Sequence, residues 1–156
     1  MKIKNLVRLI LSLVLVTGFS SAWAAQTIKW SMQGDSLTLD PHAQNEGPTT
    51  QVSRQVYEAL VQRGLDMKIG PALATSWKAT DPNTWIFQLR EDAKFSDGSG
   101  MTSSDVVFSI LRAKQRTSDF KEYISTVSNV EAVGDYAVKI TTSKPCLLYT
   151  SDAADD

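Results

Sequence analysis

Residues 84–90 read TWIFQLR, with Trp85, Phe87 and Leu89 alternating against Thr84, Ile86, Gln88 and Arg90. A period of two sends the large side chains to one face of a strand and leaves the other face to polar or intermediate neighbours. This is the clearest half-buried strand in the chain, and the sequence after it supplies what can cover it. KFSDGSGM follows as a loop, with Asp97-Gly98 and Ser99-Gly100 as turn pairs. TSSDVVFSILRAKQR then has helical spacing, with Val107, Ile110, Leu111 and Lys114 on one face. Thr102 and Asp105 stand in capping-box positions, although Asp is shorter than the usual Glu or Gln. Arg112, Lys114 and Arg116 load the last turns with positive charge, as the helix dipole favours. VSNVEAVG and YAVKITT are extended runs around Gly134-Asp135, a hairpin signal.

The N-terminal half has weaker patterns. TIKWSMQ, from Thr27, reads as a strand, and Leu37 and Leu39 mark a second short extended piece that ends at Asp40-Pro41. After EGPTT the spacing predicts a helix capped by Thr49 or Thr50, with Val52, Val56 and Leu60 in a stripe beside Tyr57 and Val61, stopped by Gly64. Gly70-Pro71 marks a turn, and PALATSW a short apolar element that buries Leu73 and Trp77. Trp30, Trp77 and Trp85 are expected in a core. The element order is mixed, so the fold class is α/β.

Lys2, Lys4 and Arg8, the apolar run LILSLVLV and the small residues Ala22 and Ala24 have the layout of a secretory signal peptide, with cleavage expected after Ala24. The apolar run is short of the roughly 20 residues that span a bilayer. At the other end CLLYTSDAADD, residues 146–156, differs in composition from what precedes it and is expected to be read-through of a sequencing adapter. The formal net charge is −1, from 16 Lys and Arg against 17 Asp and Glu, with no basic patch for nucleic acid. The only cysteine is Cys146, so residues 25–145 contain no disulfide or thiol chemistry.

Candidate chemistry is sparse. His42 is the only histidine, in LTLDPHAQNEG, and one histidine does not make a metal centre. No G-x-S-x-G elbow occurs, and no glycine run cradles a phosphate ahead of Lys-Ser or Lys-Thr. His42 has three readings: a general base, a ligand-lining group, or part of a bend behind Asp40-Pro41. The bend is favoured, because a general base needs a partner within reach.

Five motifs in order carry a resemblance: LDPH, VYEALV, PALATSW, TWIFQLREDAKFSDG and MTSSDVVFSI. Together they resemble the N-terminal portion of the family 5 extracellular solute-binding proteins, the oligopeptide and dipeptide receptors of ABC importers. Gly100 stands where the family usually has proline, and TSSDV replaces a TAEDV-like run. The resemblance implies a periplasmic-binding-protein type II fold, with two lobes, a hinge and an extra N-terminal subdomain. It divides the chain into a signal peptide (1–24), the start of lobe one with a ligand-lining segment (25–57), an incomplete extra subdomain (58–145) and the tail (146–156). It also implies that Asn45, Glu46 and Gly47 lie along the ligand and hydrogen-bond an extended peptide through their main chain, as in strand addition. Glu46 either meets a ligand amine or is a solvated loop carboxylate. The expected protein is a periplasmic monomer and no enzyme. It uses no cofactor or metal, binds no nucleic acid, and partners a peptide or other small solute and an inner-membrane ABC permease. The alternatives are the same fold with a nickel chelate, glutathione, an oligosaccharide or an opine, or a secreted hydrolase whose catalytic residues lie elsewhere.

Overall fold

The computed structural model describes residues 27–146. The expected signal peptide with its Ala24 cleavage point, and the expected tail apart from Cys146, lie outside the described residues. The chain divides into two compact units, Met1–Ser31 and Met32–Asp156. In the first, the described residues 27–31 form no regular structure and are exposed, Trp30 at 67%. The expected strand from Thr27 is therefore not formed, and Trp30 is not in a core. A strand needs a neighbouring edge to satisfy its backbone groups.

The second unit contains two helices and six strands among its described residues: α1 (Gly47–Val56), β1 (Val61–Arg63), β2 (Ile69–Pro71), β3 (Ala74–Asp81), β4 (Thr84–Leu89), α2 (Ser103–Ala113), β5 (Val127–Ala132) and β6 (Ala137–Thr142). Strands β1 and β2 form a two-stranded hairpin. The main sheet is antiparallel with order β3-β4-β6-β5, so the second hairpin inserts its return strand beside β4. Phe87 stands opposite Trp77 on one side and Val138 on the other, while Trp85 stands opposite Ile140, itself paired with Val130. These cross-strand rows are the buried face. Trp85, Phe87 and Leu89 are 4–5% exposed, and Val138 is fully buried. The Trp77 and Phe87 rings stack, with centroids 6.4 Å apart. The buried Trp85 indole donates to the Cys146 carbonyl oxygen at 3.1 Å.

Helix α2 packs across β5 and β6 and closes this face. Its capping box forms with Asp in the Glu position: the Asp105 carboxylate accepts from the Thr102 N–H at 2.8 Å. Ser103, almost fully buried, ties the helix start to the β5–β6 turn, its N–H donating to the Asp135 carbonyl at 2.7 Å and its hydroxyl to that of Gly134 at 2.6 Å. Gly134 has φ +64, which the turn needs and glycine adopts without strain. The buried face of α2 is turned by one residue from the expected one. Val106 and Ala113 are buried, Val107 and Ile110 pack against the core, and Leu111 is 51% exposed. Anchoring Ser103 inward sets this rotation.

Helix α1 differs more. It starts at Gly47, with Glu46 rather than Thr49 or Thr50 at its N-cap, and Pro48 sits in its first turn, where no N–H is needed. It ends at Val56, not near Gly64. The carbonyls of Ala59 and Leu60 accept from the Leu73 and Ala74 N–H groups at 3.1 and 2.8 Å, so the chain is already extended there. Val56, Tyr57 and Val61 are weak helix formers, and sheet-like pairing wins. Gly64 instead belongs to the β1–β2 turn, where its N–H donates to Lys68. Gly70-Pro71 lies in β2, not at a turn; a two-stranded ribbon has only edges, and these tolerate proline.

Phe87→Ala should cost about 3–5 kcal/mol, as for a large aromatic lost from a packed core. Leu111→Gln should stay within about 0.5 kcal/mol, as for an exposed position. Urea unfolding midpoints measure both; equal losses would contradict the observed rotation of α2.

Candidate functional site

The segment before α1 is built from local polar contacts. The Ser36 hydroxyl donates to the Thr38 carbonyl at 2.6 Å, and the Asp40 N–H donates to the Thr38 hydroxyl at 3.0 Å. Pro41 starts a turn, in which the His42 N–H donates to Asp40 Oδ1 at 3.0 Å. An aspartate that bonds the amide two residues on is a self-contained bend. His42 is therefore a bend residue. Thr49, 1% exposed, has its hydroxyl satisfied twice: it accepts from the Leu37 N–H at 3.1 Å and donates to the Glu46 carboxylate.

The bend is held from a distance by α2. Arg112, in its last turn, donates to Asp40 Oδ1 at 2.8 Å and to Oδ2 at 2.6 Å, a two-point guanidinium–carboxylate pair. Its Nη1 also lies 2.9 Å from His42 Nδ1. The Asp119 N–H donates to the His42 carbonyl at 3.0 Å, and the Tyr57 hydroxyl donates to the Leu39 carbonyl at 2.8 Å. The Arg112 bond, with help from the His42 N–H, holds the Asp40 carboxyl well below the usual carboxylate range. Burial first, and then the Arg112 charge, keep the His42 imidazole below its ordinary value of 6.5, against the opposing pull of Asp40.

Asn45, Glu46 and Gly47 follow directly. Asn45 and Gly47 are exposed, and Glu46 is half-buried. The Asn45 side-chain amide donates to the Tyr123 hydroxyl at 2.8 Å. The Glu46 carbonyl accepts from the Thr50 N–H, and its carboxylate is taken up by Thr49. Among the described residues, the backbone N–H groups of Asn45, Glu46 and Gly47 find no hydrogen-bond acceptor. A Cβ added to Gly47 would meet nothing within 4 Å.

Two concavities lie nearby. A depression of about 280 Å³ runs along α1 past Pro41, Gln44, Thr50 and Phe120. A groove of about 720 Å³ lies between Tyr57, Leu60, Phe95, Met101 and Ile110, with the Arg90–Glu58 ion pair at 2.9 Å on its wall. The expected ligand-lining residues border neither. The sequence reading missed Arg112, Tyr123 and Thr49 as partners of this segment. Arg112 reads as a dipole-compensating charge, and no local pattern links it to Asp40, 72 positions away.

Residues 68–154 match the profile of the bacterial extracellular solute-binding proteins, family 5 Middle. The chain belongs to this family. Relatives include the periplasmic oligopeptide-binding protein OppA of Escherichia coli (strain K12), 30% identical over 139 residues, covering 77% of this chain and 26% of OppA. The glutathione-binding protein GsiB of the same strain is 30% identical over 129 residues, covering 81% of this chain and 25% of GsiB. Among solved structures, the Escherichia coli murein tripeptide binding protein MppA superposes with a TM-score of 0.70 at 30% identity, over 74% of this chain and 26% of MppA. The chain therefore spans about a quarter of the length of the family 5 relatives it matches. The mixed α/β fold is that of these periplasmic binding proteins.

Because the folded Asp40 carboxyl lies below its ordinary 3.8, the pair's contribution is complete above that pH and is lost as the pH falls beneath it. Asp40→Asn should cost about 1 kcal/mol at neutral pH, the upper range for a partly exposed pair. The gap to the parent should close on acidification below 3.8. Unfolding curves at several pH values test this; a constant gap would contradict it.

Proposed function

We propose that this chain is part of a periplasmic receptor that captures a di- or oligopeptide and delivers it to the permease of an ABC importer. Its relatives are named for binding, not for bond chemistry, which supports a non-enzymatic role. The observation that carries the reading is that the N–H groups of Asn45, Glu46 and Gly47 find no partner among the described residues. An extended peptide offers carbonyls to such an edge whatever its side chains are, so one receptor can accept many sequences. The likeness to OppA and MppA, named for oligopeptides and a murein tripeptide, supports the peptide class. On this reading, residues 25–57 begin a lobe, residues 58–145 belong to an extra subdomain, residues 1–24 direct export, and the protein works as a monomer.

GsiB is named for glutathione and matches at the same identity as OppA. Glutathione carries amide carbonyls of its own, so the same edge would serve it. Titration calorimetry of the complete receptor that contains this chain, with tri-alanine, a dipeptide pool and glutathione, separates these readings. Heat with a peptide supports the proposal; heat with glutathione alone favours the second reading; binding of neither overturns both.

Gly47→Pro tests the main-chain edge. Proline suits the first helical position, and Glu46 before it is extended, with φ −113 and ψ 158, as a residue preceding proline requires. The variant removes one donor, and because Pro48 follows, proline at 47 also strains the first helical turn, so a modest loss of thermal stability is expected. Affinity of the folded variant for the bound peptide should fall about tenfold. Undiminished affinity would argue against Gly47 as a main-chain contact.

A further inference from the structure

We propose that Arg112 is a positioning residue for the Asn45–Gly47 segment: its guanidinium grips Asp40 and His42 together, and this grip sets where the next residues lie. The consequence for affinity rests on the receptor reading above; the geometry does not.

Residues 36–46 belong to no helix or strand. Backbone ladders therefore do not define their path. Much of what does define it comes from residues 112–123. Arg112 holds both Asp40 oxygens and approaches His42 Nδ1, Asp119 donates to the His42 carbonyl, and Tyr123 accepts from the Asn45 side chain. The start and the end of the turn are thus tied to one region of the fold. Arg112 is the tether that links two residues of the turn to α2. A planar fork can bond both carboxylate oxygens and a third acceptor at once, whereas an ammonium is a single point charge.

Arginine has donors only, so His42 Nδ1 accepts and carries no proton in this arrangement. A proton there would set donor against donor and cation against cation. The charged groups acting on the ring are Arg112 from α2 and Asp40 from its own turn. Asp119 reaches it through its backbone N–H, and the Tyr57 hydroxyl bonds the neighbouring Leu39 carbonyl. Burial and Arg112 delay protonation to below 6.5, so the grip is whole at neutral pH and weakens as the pH falls beneath that value. A residue that only contributed stability would not make the Asn45–Gly47 amides follow the His42 titration.

The test follows the amide chemical shifts of Asn45, Glu46, Gly47 and Asp119 from neutral pH down to mildly acidic pH. In the parent protein these amides should move together with a midpoint below 6.5. The protection factor of the Asp119 amide, taken against the intrinsic exchange rate at each pH, should fall about tenfold across the transition. His42→Asn keeps an acceptor but does not titrate, so its shifts should stay flat. Arg112→Lys should displace the same amides at every pH. Amides of the parent that do not titrate together, a His42→Asn variant that titrates like the parent, or an Arg112→Lys variant with parental shifts would each overturn the proposal. The parent titration requires no variant to fold. Affinity for tri-alanine adds a second arm: it should fall about tenfold with acidification in the parent and hold within about twofold in His42→Asn. If the parent does not bind tri-alanine at neutral pH, the peptide reading fails, while the amide shifts still decide the role of Arg112.

Discussion

The pairing of β4 with β6 is the contact on which the rest of the second unit depends. It joins two local hairpins across about fifty residues of chain and places Phe87 between Trp77 and Val138. Each hairpin alone would leave its apolar face in water, and two-stranded ribbons are marginal by themselves. Joined, they form a four-stranded sheet with one face broad enough for α2 to cover. Ser103 then locks the start of α2 to the turn between β5 and β6, which fixes both the direction of the helix and its rotation.

That rotation reaches the candidate site. With Val106 and Ala113 facing the sheet, Arg112 is turned toward Asp40 and His42. A segment with no regular backbone pairing is thereby tethered to the most regular part of the structure. Asn45, Glu46 and Gly47 follow this tether, and their N–H groups find no partner among the described residues. An edge used for main-chain recognition must keep its donors free and its path defined, and free donors alone do not define a path. On the proposed reading, side chains outside the edge supply the definition.

Much of the α/β fold was legible because it is written in local periodicity. TWIFQLR alternates with a period of two and is β4; the Asp97-Gly98 loop, the Thr102–Asp105 capping box and the Gly134-Asp135 hairpin appear where the residue types require them. The misreadings fall where local preference is weak and a distant partner decides. Residues 57–61 fit a helical stripe, yet Ala59 and Leu60 give their carbonyls to Leu73 and Ala74. Thr49 looked like a cap, yet its hydroxyl is spent on Leu37 and Glu46.

The sequence by itself determined the class of this protein. Five motifs in order and a family profile over residues 68–154 identify a family 5 solute-binding protein. It also determined the bend at Asp40-Pro41, because an aspartate two residues before an amide is a local device. Only the tertiary structure decided what holds that bend. Arg112 and Asp40 are brought together by the closure of α2 over a sheet whose central pairing is long-range, and no spacing along the chain encodes that approach. The physical reason is the difference between periodicity, which every few residues repeat, and contact across a folded core, which exists only once the core has formed.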